Sequence, residues 1–183
     1  DSGLDLAFSY GVSPDIVVGD MDSLANTDLL CDFAEGDIRR YSHEKDETDT
    51  EIAIRTLVED GFDQIGLIGG GGGRLDHLFA IYALFERQNR PRVWITDSGF
   101  VVSVDSQIEV HDCVGMGISF FPVGRRICRM QSSGLQWSLD GLRWAHGDCG
   151  VSNVITDRVM RVSVKSGRLI MVGDLDVLSG VAL

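Results

Sequence analysis

Two aspartates one residue apart, in GDMDS (residues 19–23), follow the apolar run DIVV. If residues 20–22 stay extended, Asp20 and Asp22 project to the same side, because side chains alternate along a strand. Two hard oxygen donors on one face suit Mg2+, which takes few carboxylates and fills its other positions with water or phosphate oxygens. The plainer reading is a solvated turn, with Asp22 or Ser23 capping the next segment. A second GDLD, at residues 173–176, also follows an apolar run, so the pattern alone does not decide. That copy has no acidic or glycine-rich company and reads as a turn.

Two further segments carry chemistry. KDETD (residues 45–49) places Asp46 and Asp49 around a helix start. Acids in a first helical turn favour the helix dipole, which accounts for Asp49 and Glu51 without a ligand. Lys45, just before that start, suits a phosphate that uses both its charge and the backbone N–H groups. In GGGGGRLDH (residues 69–77) the glycines let backbone approach a phosphate closely. Arg74 offers a planar fork for phosphate oxygens. Asp76 adds a carboxylate. No Gly-Lys-Ser/Thr follows the glycines, so this is not a P-loop. A surface loop is the plainer alternative, and His77 reads as a packed or capping residue.

The elements that must position these loops alternate in the first half. Residues 15–19, 38–42, 64–70 and 92–97 read as strands. Residues 48–61 read as a helix, with Thr48 and Glu51 at capping-box spacing and Gly61 at its end. Its apolar face is Ile54, Leu57 and Val58. Residues 75–88 read as a second helix, with Leu75, Leu78, Phe79, Tyr82 and Phe85 on one face. Strands separated by helices predict a doubly wound, mostly parallel sheet, whose ligands bind beyond the C-terminal strand ends. All three loops would then share one edge. Five carboxylates there, Asp20, Asp22, Asp46, Asp49 and Asp76, need cations. Mg2+ with a polyphosphate supplies them, which points to phosphoryl-type transfer from a nucleotide.

From about residue 104 onward, short β-rich runs such as QIEVHD, GISFFPVG, LQWSLDG, RVMRVSVKSG and RLIMVGD are separated by turn signals. They predict an antiparallel β-sandwich. The expected domains are 1–103 and 104–183, with the boundary near 103–106. The 183 residues carry a net charge of −12, which disfavours nucleic-acid backbones. No apolar stretch approaches the ~18 residues of a membrane span, and the opening DSGLDLAF does not show the basic-then-apolar pattern of a signal peptide. The four cysteines form no CxxC pair and read as free thiols in a reducing cytoplasm.

Together, PDIVVGDMDS, EKDETDTEIAI and GGGGGRLDH resemble, in order and spacing, the motif set of thiamin pyrophosphokinases. SSGLQWSLDGL and GVSNVITDRVMRVSVKSGRL resemble that family's thiamin-binding β-domain. The resemblance implies transfer of a diphosphoryl group from ATP to the thiamin hydroxyl, giving thiamin diphosphate and AMP. It implies a homodimer with active sites at the interface. It implies that Asp20, Asp22, Asp46, Asp49 and Asp76 are catalytic, the first four as Mg2+ ligands. Lys45, Thr48, Gly70, Gly71, Arg74 and Asp76 would bind the nucleotide. Trp137 would stack on thiamin, and Ser152 and Asn153 would contact its pyrimidine part. From the residues alone, Trp137 reads as β-domain core rather than a stacking platform, and Ser152–Asn153 as a turn. A diphosphokinase for another heterocyclic alcohol, such as a hydroxymethylpterin, and a non-catalytic nucleotide or thiamin sensor are the alternatives. The family pattern opens with a strand leading into Asp-Gly-Gly. Here DSGLD resembles the end of that motif, with Ser2 for the first glycine, so the strand is expected to be missing from this sequence and Asp1 to belong to the nucleotide site.

Overall fold

The computed structural model describes residues 3–22, 24–42, 44 and 46–182. The chain forms two compact units, Asp1–Asp63 and Gln64–Leu183. It is a mixed α/β protein with parallel strand pairs, a mixed sheet and an antiparallel sheet. None of its described helices is long and apolar enough to cross a membrane.

The first unit opens with helix α1 (Gly3–Ser9). Strand β1 (Val17–Gly19) pairs in parallel with β2 (Ile38–Arg40), Val17 opposite Ile38. Buried Leu4, Val17 and Met21 form its core, covered by Phe8, Leu29, Leu30, Phe33 and Ile38. Helix α2 (Asp49–Glu59) starts with the expected capping box. The Glu51 N–H donates to the Thr48 hydroxyl, and the Thr48 N–H donates to Glu51 Oε2 at 2.7 Å. The chain leaves α2 through Gly61 at φ 94°, a backbone state glycine adopts without strain. The buried side chains of α2 are Ile52, Ile54 and Thr56. Of the expected face only Ile54 is among them, and Leu57 and Val58 are half-buried. Tertiary packing, not the width of the apolar stripe, selects the covered side.

The second unit contains β3 (Gly66–Ile68), helix α3 (Leu75–Leu84), β4 (Val93–Ile95), β5 (Phe100–Val104), β6 (Gln107–His111), β7 (Gly117–Pro122), β8 (Cys128–Ser133), β9 (Arg143–Trp144), β10 (Gly150–Val154), β11 (Val159–Ser166), β12 (Leu169–Gly173), helix α4 (Leu175–Leu178) and β13 (Val181–Ala182). One sheet runs β10-β7-β12-β5-β4-β3, and the other runs β13-β6-β11-β8-β9. Within the first, β3 and β4 are parallel, and β4 then pairs antiparallel with β5. Strand pairing therefore continues directly from the α/β segment into the β-rich one.

Side-chain alternation explains how this sheet covers both faces. Phe100 and Val102 of β5, Ile118 and Phe120 of β7, and Leu169 and Met171 of β12 face a core shared with Ile108, Val110, Met130, Met160 and Val162 of the other sheet. The intervening Val101, Phe121 and Ile170 face α3, where Ile81 and Phe85 pack with Trp94. A strand covered on both faces reads as an unbroken apolar run, as RLIMV does. The buried stripe of α3 is Ile81, Leu84 and Phe85, with Leu78 and Tyr82 partly covered. Leu75 and Phe79, expected on that face, are 69% and 70% exposed. The stripe that meets the sheet keeps Leu78, Tyr82 and Phe85 of the expected face and takes Ile81 in place of Leu75 and Phe79.

Two expectations for the β-rich half change. LQWSLDG forms no strand; its segment makes only isolated bridges, Leu135 to Ile155 and Met130 to Asp140. The GDLD copy ends β12 and starts α4, with Asp174 as the N-cap residue, so the expected turn is a strand-to-helix junction.

Candidate functional site

The acidic loop after β1 is not extended. Met21 takes a left-handed φ of 66° and buries its side chain in the first unit's core, where it is 8% exposed. A non-glycine residue there costs on the order of 1–2 kcal/mol, offset here by burial of the thioether. Asp20 Oδ1 accepts from the Asp22 N–H at 3.3 Å across this turn. The expected same-side projection from an extended segment is thus replaced by a turn closed by Asp20 itself. Such strain in a polar loop is a recognised mark of a candidate site.

At the start of α2, Thr48 is the N-cap and Asp49 the first helical residue. Asp46 is exposed and Asp49 half-buried. The Thr48 hydroxyl, expected to meet nucleotide, accepts from the Glu51 N–H in the capping box. Lys45, Ser23 and Asp1 lie outside the described residues. Among the described residues, no three His, Cys, Asp or Glu side chains form a metal-sized cluster. Carboxylate oxygen is the donor type Mg2+ takes, through one or two side chains with substrate phosphates completing its shell.

The glycine loop of the second unit is anchored at three points. Trp94 Nε1 donates to the Gly69 carbonyl at 2.7 Å. Gly70 and Gly73 adopt φ of 69° and 87°. A Cβ on Gly71 would stand 2.4 Å from Thr96 Cγ2. Glycine at 71 is therefore required by the approach of Thr96, which sequence reasoning missed because nothing local couples residues 71 and 96. The Thr96 hydroxyl accepts from the Ser98 and Gly99 N–H groups and so closes the TDSG turn. That hydroxyl-and-glycine turn after a strand was the available signal.

Arg74 and Asp76 form a forked pair, with Nε to Oδ1 at 3.1 Å and the second guanidinium nitrogen to Oδ2 at 2.5 Å. The His77 N–H also donates to Asp76. The hydrogen bond from Arg74 holds the Asp76 carboxyl down to about 2, well below its ordinary 3.8. Both side chains are exposed, so the pair contributes little to stability. Its consequence is placement: a guanidinium fork and a carboxylate at the mouth of a glycine turn.

Trp137 is 56% exposed, so the core reading of this residue does not hold. Its loop is pinned on one side by Ser132 and Asp140. The Leu139 N–H donates to Ser132 Oγ, and the Ser132 N–H donates to Asp140 Oδ1. On the other side stands Asn153, buried at 5% exposure. Ser152 is exposed, with φ 57°, and its N–H donates to Ser119 Oγ. The four cysteines are free thiols; burial pushes Cys128 up to about 11.

The fold places the chain among mixed α/β proteins with a glycine-rich strand-to-helix turn. Residues 1–95 match the thiamin pyrophosphokinase catalytic domain, and residues 105–169 match the vitamin B1 binding domain of the same enzymes. The chain belongs to the thiamin pyrophosphokinase family, a family of transferases. Thiamin pyrophosphokinase from Geobacillus thermodenitrificans is 27% identical, with a TM-score of 0.72 over 95% of this chain and 83% of that one. The Bacillus subtilis enzyme is 24% identical, with a TM-score of 0.78 over 96% and 86%. A family protein from Enterococcus faecalis reaches 0.79 at 17% identity, over 95% and 85%. These last two likenesses concern the fold alone. No curated protein sequence matches this chain.

Proposed function

We propose that this protein transfers a diphosphoryl group from ATP to the hydroxyl of thiamin, giving thiamin diphosphate and AMP. The observation that carries this reading is the presence, in one chain, of both a catalytic and a vitamin B1 binding domain of the family. The exposed Trp137 indole supports it, because an aromatic face suits the cationic and aromatic rings of thiamin.

In this reading Asp20, Asp22, Asp46 and Asp49 would hold Mg2+, which would supply charge neutralisation for the phosphates. Arg74 leaves Asp76 for the phosphate oxygens, and the freed Asp76 carboxylate helps orient the reactants. Gly70 and Gly71 give the phosphate chain access to the backbone, and Lys45 adds a second cation. The thiamin hydroxyl oxygen bonds to the β-phosphorus. The bond from that phosphorus to the α–β bridging oxygen breaks, AMP departs with that oxygen, and the hydroxyl proton is released. Trp137 and Ser152 contact thiamin, and Asn153 belongs to the same region. The doubly wound arrangement of the catalytic half, and a homodimer with active sites at its interface, are part of the same proposal.

The test is incubation with MgATP and thiamin, followed by separation of the nucleotides. AMP and thiamin diphosphate should accumulate in equal amounts. ADP as the product would refute diphosphoryl transfer, and no turnover with tight thiamin binding would favour a sensor.

A further inference from the structure

We infer that Asn153 is a positioning residue, which holds the Trp137 indole in place rather than contacting substrate itself. The inference rests on the reading of Trp137 as the thiamin platform. Its basis is the way two segments of the second unit run together. The Thr156 N–H donates to the Gly134 carbonyl, Leu135 bridges Ile155 antiparallel, and the Gln136 N–H donates to the Val154 carbonyl. At the next step the backbone ladder stops and a side chain replaces it. The Trp137 N–H donates to Asn153 Oδ1 at 3.1 Å, and Asn153 Nδ2 donates to the Trp137 carbonyl at 2.7 Å.

The Asn153 amide thus reproduces the donor–acceptor pair of a peptide group and extends the ladder by one residue. Oδ1 also accepts from the Val154 N–H at 2.9 Å. Two N–H groups on one side and a carbonyl on the other fix which end of the amide is oxygen. Both oxygen lone pairs and one N–H are engaged, and the residue is 5% exposed, so little polar surface remains for a ligand. The reason Asn153 points inward is local. Strand β10 slips register against β7 between Gly150 and Asn153, and Ser152 takes φ 57°. This bulge turns one side chain out of the expected alternation. Gly134 is needed for the close approach, since a Cβ there would lie 2.8 Å from the Val159 carbonyl.

The experiment is a double-mutant cycle on the full chain, read as the dissociation constant for thiamin and, separately, for MgATP. Trp137→Ala should weaken thiamin binding about thirtyfold, the scale of a desolvated cation–π contact. Asn153→Ala should weaken it comparably when Trp137 is present, less than about twofold in the Trp137→Ala background, and leave MgATP binding unchanged. Equal losses in both backgrounds would mean that Asn153 contacts thiamin directly and would overturn the inference. So would no loss in either, or a parallel loss of MgATP affinity. If Trp137→Ala binds thiamin normally, the platform reading itself fails, a result separate from additivity. Hydrogen exchange on the unmutated protein needs no variant to fold: the Trp137 amide should exchange slowly, and rapid exchange would refute the pairing.

Discussion

Four adjacent glycines, residues 70 to 73, differ in whether space, backbone, both or neither requires glycine, and alanine substitution separates them. Gly71 is limited by space alone. An added Cβ falls 2.4 Å from Thr96 Cγ2 and 2.5 Å from Thr96 Cβ. Carbon atoms prefer about 3.5–4.0 Å, so the loop must retreat by roughly 1 Å, at a cost of about 1–3 kcal/mol for overpacking. Thr96 cannot swing away, because it is β-branched and its hydroxyl closes the 96–99 turn. Gly73 is limited by backbone alone: φ is 87° and nothing lies within 4 Å of an added Cβ, so Gly73→Ala should cost about 1–2 kcal/mol. Gly70 combines φ 69° with a 2.7 Å approach to Ile81 Cδ1, the movable end of a flexible side chain, and should cost slightly more than Gly73. Gly72 has neither constraint, so Gly72→Ala should be neutral or stabilising by about 0.4–1 kcal/mol through the unfolded chain. The assay is urea unfolding followed by tryptophan fluorescence, with Trp94 bonded to Gly69 as the local probe. At a typical slope of about 1–3 kcal/mol per molar, a 2 kcal/mol loss moves the midpoint by about 1 M. The affinity for MgATP should fall for Gly71→Ala and hold for Gly72→Ala. A flat series, or Gly72 as the costliest position, would refute the loop geometry and the cradle built on it.

Two further outcomes follow from the same loops. Thr48→Ala should lower stability by about 1 kcal/mol, and Thr48→Ser should restore it, since the hydroxyl caps α2; a nucleotide-only role predicts a loss of MgATP affinity with unchanged unfolding. Asp76 should titrate at about 2 by carboxyl NMR and return toward 3.8 in Arg74→Gln. Because the folded value lies below the unfolded one, any stabilisation from this pair is present above pH ~4 and fades as pH falls toward 2. MgATP should raise the Asp76 value if Arg74 transfers to phosphate, and an unchanged value at saturation would argue against that exchange.

The helix α2 was legible in detail, because a capping box and a terminal glycine are local signals acting within a few residues. The strands of the second half were legible as apolar runs, but their assignment to faces was not. Alternation reveals a face only when one side is wet, and β5, β7 and β12 are covered on both. The exposed Leu75 and Phe79 show the same limit on a helix, where several apolar stripes compete and only the sheet beneath selects one.

The sequence by itself determined the family and the order of its motifs, since residue type and spacing carry both. It also determined that acids, a cation fork and a glycine turn accompany a β-rich half. Tertiary structure alone decided what each residue does within them. It turned Met21 into the core, set Thr96 against Gly71, and brought Asn153 to the backbone of Trp137, 16 residues away. Each of these depends on a contact between segments that are distant in the chain, and no local propensity encodes it.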